Sequence, residues 1–254
     1  MIKTDTASIL KEYRAGLEFK QNIDLFETVK SNENFFIGKQ WEGVRSNGLP
    51  TPVFNFLKRV VLFTVASITS NDITINVEAA NENNRADASI LGAEINNIFD
   101  ASGASALIRE FLRDAAVRGD ACLYTYWDIE DECVRSELLQ NTRVFFGNVN
   151  ERRIQKQPYI IVSSRVMKDA LSEKLRDTGI YEPIEATDLA PELDRGDKAT
   201  VLLKMWRDPE THTIWMTETL SGTVIRKPWE RGCACIRWFG FRGTESRIPT
   251  TDRR

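Results

Sequence analysis

The stretch GLPTPVFNFLKRVVLFTVASITSND, residues 48–72, constrains the chain more than any other. Thr51 followed by Pro52 reads as an N-cap and first helical position, because the N–H that proline lacks would go unpaired there and its fixed φ suits the helix. Phe54, Leu57, Val61, Leu62, Val65 and Ile68 then cover most of a helix circumference, which predicts a helix buried on several sides. Ser70, Asn71 and Asp72 stop it, and Ile73, Ile75, Val77 and Ala79 alternate with Thr74, Asn76 and Glu78 in the period of a half-buried strand. Such a helix needs a core around it. With 254 residues and 42% hydrophobic content, the chain is large enough to supply one in a single large domain or two ordinary ones.

The formal charge of -3 and pI near 5.5 give no general attraction for nucleic acid or an anionic membrane. No N-terminal stretch has the basic, apolar and small-residue order of a secretory signal. The apolar run around Val60 to Phe63 is interrupted by Thr64 and Ser67, well short of a membrane span, so a cytoplasmic protein without membrane contact is expected.

Ile9, Leu10, Tyr13, Leu17, Ile23, Phe26 and Val29 recur at three- or four-residue steps and predict one amphipathic helix from Thr6 to about Ser31, with Lys11, Glu12, Lys20 and Lys30 outward. The segments NENFFIGKQWEG and SNGLPTP collect turn-forming residues around Phe35, Phe36 and Trp41, which predicts a loop that is anchored. Helices are expected at about Ala86 to Asp100 and Ser105 to Arg118, the second capped by Gly119. ACLYTYWDIEDECVRSELL reads as strand, acidic turn and returning strand. Pro158 to Ser163 reads as a strand and Arg165 to Asp177 as a helix. Glu182 to Asp197, acidic with two prolines, reads as a linker or long loop. ATVLLKMWRD, THTIWMTETL and GTVIRKPW then form an antiparallel meander.

Chemistry-bearing constellations are weak. His212 is the only histidine and falls in a turn, where exposure is the ordinary expectation. Neither GxxxxGK[ST] nor GxGxxG occurs, so no phosphate-cradling loop is indicated. Asp128, Glu130, Asp131 and Glu132 have the residue type that holds divalent ions, but a hairpin turn splays such neighbours into water. Arg152, Arg153, Lys58 and Arg59 read as solvated edges, and Trp41, Trp127, Trp206 and Trp215 as core or interface more readily than as base-stacking platforms. Cys122 and Cys133 read as buried free thiols. Cys233 and Cys235 lack the partners a zinc site needs. No catalytic, cofactor-binding or metal residue is therefore assigned.

The segment FFIGKQWEGVRSNGLPTPVFNFLKRVVLFTVASITSND resembles the N-terminal region of tailed-bacteriophage portal proteins, through Gly38, Gln40, Trp41, Gly48, Leu49, Pro50, Pro52, Val53, Phe54 and Asn55. GDACLYTYWD and VFFGNVNERRIQKQPYIIVSSRVM look similar in the same order, so the resemblance spans about residues 6–180. It implies a wing-like domain over 1–180, to which the residue pattern adds the α+β class, an acidic loop or linker over 181–198, a β-meander over 199–230 and an irregular tail over 231–254. It also implies a structural role without catalysis. The subunit would belong to a ring, usually a dodecamer, at one vertex of the virion capsid, assembled in the host cytoplasm. Double-stranded DNA would pass through it. The partners would be the terminase large subunit, the capsid and the head-tail adaptor proteins.

Portal subunits are normally longer, and RGCACIRWFGFRGTESRIPTTDRR changes character abruptly after Trp229. One permissible choice of codons gives, in a neighbouring frame, Tyr-Pro, Trp and Tyr-His-Gly segments of the kind expected next in such proteins. A frameshifted or truncated portal is the resulting expectation, which the coding DNA would test. The rival readings are a metal-dependent DNA-processing phage enzyme using the carboxylates at 128–132, and a head-associated adaptor.

Overall fold

A computed structural model describes residues 4–70, 75–128, 131–151, 153–177, 198–220, 222–231 and 238–242. The helices are α1 (Thr6–Asn22), α2 (Leu25–Ile37), α3 (Phe56–Ile68), α4 (Arg85–Ala101), α5 (Ala104–Arg118) and α6 (Lys168–Asp177). The strands are β1 (Asp120–Asp128), β2 (Cys133–Gln140), β3 (Val144–Phe146), β4 (Tyr159–Met167), β5 (Lys198–Arg207), β6 (Ile214–Thr219), β7 (Val224–Arg231) and β8 (Trp238–Arg242). The fold is α+β, with antiparallel sheets ordered β2-β1-β8 and β3-β4-β5-β6-β7. Two compact units share the chain: residues 1–25 with 142–236, and residues 26–141 with 237–254. Each is assembled from distant stretches of chain, where composition suggested sequential blocks.

The first unit holds the five-stranded sheet, including the meander β5-β6-β7 expected from sequence. Against it α1 lays Ile9 and Tyr13, which pack with Phe145, Ile161 and Leu202. Tyr13 meets Phe145 edge to face at 4.7 Å. A Cβ on Gly16 would stand 2.9 Å from the Phe145 ring, so glycine is what lets the helix approach. A second cluster joins Leu171 and Leu175 of α6 to Ala199, Val201, Leu220 and Ile225. Each such large aliphatic side chain contributes about 1.5–3 kcal/mol when fully buried.

Two polar groups of this unit reverse the outward placement that periodicity suggested for α1. Lys20 is buried, donates to the Val144 carbonyl at 2.7 Å and lies 4.0 Å from the Phe145 ring centre. Glu12 accepts from Lys204 at 2.5 Å. Both partners lie far away in sequence, so no local period reveals them.

In the second unit α5 packs against β1 and β2, and α3 and α4 pack against α5. Gly119, at φ 93°, caps α5 as its sequence position predicts. Arg118 at the end of α5 pairs with Glu33 of α2 at 2.8 Å and lies 3.8 Å from Asp114, a buried carboxylate that Arg113 also meets at 3.0 Å. The Asn141 amide donates to the Arg118 carbonyl at 3.0 Å and also to Asp120, which ties the end of β2 to the start of β1.

Several sequence expectations are corrected. The single helix over 6–31 is two, because Asp24 takes the left-handed φ of 53°, a conformation aspartate tolerates better than most residues. Helix α3 starts at Phe56, not at Pro52, and its N-cap is Asn55, whose side chain accepts the Lys58 N–H at 2.9 Å. Residues 75–79 form no ladder. The Asn96 side chain instead takes the Ile75 N–H at 3.2 Å and donates to its carbonyl at 3.0 Å, standing in for a neighbouring strand. The tail expected to be irregular supplies β8, antiparallel to β1 from Asp120↔Arg242 to Tyr124↔Trp238, in a run whose aromatic residues favour strand. The acidic stretch 182–197 lies outside the described residues.

Candidate functional site

The residues that carry the portal resemblance build one closed loop between α2 and α3. Gly38, at φ 89°, ends α2 with its N–H on the Phe35 carbonyl at 3.3 Å, while the Lys39 N–H returns to the Asn34 carbonyl at 2.7 Å. These paired bonds form the left-handed glycine stop that satisfies the last carbonyls of a helix. Across the loop, the Trp41 indole N–H donates to the Pro52 carbonyl at 3.0 Å, and the Gln40 amide reaches the same oxygen at 3.4 Å. Asn55 works at both ends: its amide donates to the Phe36 carbonyl at 2.7 Å while its oxygen caps α3. The Asn34 amide adds a bond to Glu42 at 2.6 Å. The loop is anchored, as its composition predicts.

What this loop delivers is an exposed apolar helix, where sequence predicts a buried one. Within α3 only Val65 is buried. Phe63 is 75% exposed and Phe54, just ahead of the helix, 70%. The physical reason is width. Helix α5 covers one side of α3, whereas the apolar residues of α3 run around more of its circumference than one neighbour can cover. Phe56, Leu57, Val60 and Leu62 are exposed with Phe63. A second exposed apolar pair, Ile90 and Leu91, lies on α4. Its sequence signal was the spacing of Asp87, Ile90, Leu91 and Glu94, which places all four along one helix face.

Among the described residues, those weighed for chemistry are not gathered into a site. Asp128 and Asp131 both pair with Arg135, the first at 2.8 Å. The bond to Asp131 and its charge raise the already high pKa of that guanidinium. Glu130 lies outside the described residues, and Glu132 turns the hairpin at φ 48°. His212 is exposed at φ 56°, its N–H on the Asp208 carbonyl at 3.0 Å. Arg153 bonds to Glu151 at 3.3 Å, Arg152 lies outside the described residues, and Lys58 stands 5.8 Å from the Phe36 ring centre. Trp206 is buried, Trp215 donates to Thr213 at 3.1 Å, and Trp127 and Trp41 are part-exposed. Cys122 is buried and Cys133 half-buried, neither of them in a disulfide, while Cys233 and Cys235 lie outside the described residues. Among the described residues no group of three or more His, Cys, Asp or Glu is placed to hold a metal ion, and no helix is long and apolar enough to cross a membrane.

The fold and surface therefore define a two-unit α+β protein whose most distinctive feature is an apolar surface on helices, framed by a hydrogen-bonded loop. No protein-family model matches the chain. No curated protein matches it at a significant level.

Proposed function

We propose that the chain is all or part of a subunit of the ring-shaped portal at one capsid vertex of a tailed bacteriophage, a structural conduit for double-stranded DNA. The observation that carries this reading is the exposed apolar surface of α3, delivered by the loop whose Gln40, Trp41, Pro52 and Asn55 also carry the sequence resemblance. Contiguous apolar surface of this kind is unfavourable in water and marks a place where another polypeptide sits. A ring subunit has such neighbours on two sides. The terminase large subunit, the capsid and head-tail adaptors are the further partners this role entails, in the virion and, during assembly, in the host cytoplasm.

The test is the mass and shape of the purified product of the complete gene, by native mass spectrometry and electron microscopy. A closed ring of identical subunits, a dodecamer in the usual case, is the expected result. A product that stays monomeric at tens of micromolar, or one that cleaves DNA in a magnesium-dependent manner lost in Asp128→Asn, overturns the reading.

A further inference from the structure

We infer that the outer faces of α3 and α4 are the two complementary halves of one contact between successive copies of this chain. This rests on the ring reading above and names the surfaces that would make the ring. On α3, Phe56, Arg59, Val60 and Phe63 recur at i, i+3, i+4 and i+7, and all four are exposed. That face is an apolar stripe bearing a cation. On α4, Asp87, Ile90, Leu91 and Glu94 recur at the same spacing and are likewise exposed. That face is an apolar pair between two carboxylates. Residues three and four apart on a helix stand side by side, so each set forms one continuous patch two turns long.

Charge decides which patch meets which. Two copies joined α3 to α3 would bring Arg59 against Arg59, with Lys58 next to each. Two copies joined α4 to α4 would gather four carboxylates around a desolvated centre. Like charges set against each other are penalised at interfaces and select against wrong partners. Laid antiparallel and offset by about one turn, α3 on α4 sets Arg59 opposite Glu94 and Val60 and Phe63 over Ile90 and Leu91, so that unlike charges meet beside an apolar contact. Neither Arg59 nor Glu94 forms an ion pair among the described residues, so each charge is available to a partner. Because the two halves differ, every docked copy still presents one of each. The contact is head to tail, and it repeats until the rotation closes.

Sedimentation velocity over a concentration series tests this, with the native full chain, Arg59→Glu, Glu94→Arg, the double variant and an equimolar mixture of the two single variants. Each reversal alone is expected to weaken association by about tenfold or more, and both the double variant and the mixture to restore it to within about threefold. Both positions are exposed, so unchanged circular dichroism and melting temperature verify the fold. If a reversal does lower the melting temperature, Arg59→Gln and Glu94→Gln replace it, with about a threefold weakening expected. A closed ring indifferent to every one of these variants overturns the α3-to-α4 pairing and leaves the ring reading standing. Open oligomers that show loss and rescue keep the pairing and overturn the ring. Tighter association of Arg59→Glu alone overturns the pairing in favour of α3 against α3. A chain monomeric throughout overturns both.

Discussion

Lys204, on the middle strand of the five-stranded sheet, places its ammonium 2.5 Å from the Glu12 carboxylate of α1, with the lysine side chain fully removed from water and 24% of the glutamate side chain exposed. The asymmetry of burial predicts an asymmetry of damage. Glu12→Ala leaves a buried cation without its carboxylate and is expected to cost about 3 kcal/mol. Lys204→Met leaves an anion that water still reaches and inserts a side chain of similar shape, at a cost of about 1 kcal/mol or less. Urea unfolding of both variants measures this, and equal losses would contradict it.

Asn55 holds two helices with one side chain, closing the loop on the Phe36 carbonyl and capping α3. Asn55→Ala removes both bonds and is expected to lower stability by about 1–2 kcal/mol. Asn55→Ser keeps a side-chain oxygen for the cap but has no amide to donate to the Phe36 carbonyl, so its loss falls between the wild-type chain and Asn55→Ala. Amide hydrogen exchange localises the effect. Faster exchange confined to residues 38–58 is the expected pattern, and uniform acceleration over the chain would count against it.

Tyr126 donates its phenol to Glu137 at 2.7 Å. Burial first, then this bond and the glutamate charge, push its pKa up to about 12. The ordinary value is about 10, so the folded chain keeps this proton after the unfolded chain has lost it, and stability falls as pH rises from about 10 to about 12. Ultraviolet titration of the tyrosines is the measurement. In Glu137→Gln one phenol should move down toward the ordinary value, and an unchanged titration curve would refute the assignment.

Where local pattern and local stop signals coincide, the sequence is sufficient. Helices α4 and α5, the Gly119 cap, the β1-β2 hairpin and the β5-β6-β7 meander all follow from periods and turns that sit within a few residues of each other. Residues 75–79 show the limit. Ile75, Val77 and Ala79 are half-buried while Asn76 and Glu78 are exposed, so the two-residue period is obeyed. Whether such a segment becomes a strand depends on a partner, and here the Asn96 side chain takes that place at Ile75. The candidate site failed in the same way. The apolarity of α3 is plain in its residues, but how much of it a neighbour covers is a property of packing, and α5 covers only part. The burial of Lys20 and Lys204 was invisible because their partners lie 124 and 192 residues away.

That separation has a cost in time on the ribosome. The N-terminal helix emerges first, yet the strand carbonyl that receives Lys20 follows 124 residues later, which at synthesis rates of about 5–20 residues per second is a wait of roughly 6–25 s. Throughout that interval Ile9 and Tyr13 have no sheet to lie on. A nascent chain with so late a docking surface is exposed to premature aggregation and is a natural client for chaperones that shield apolar segments.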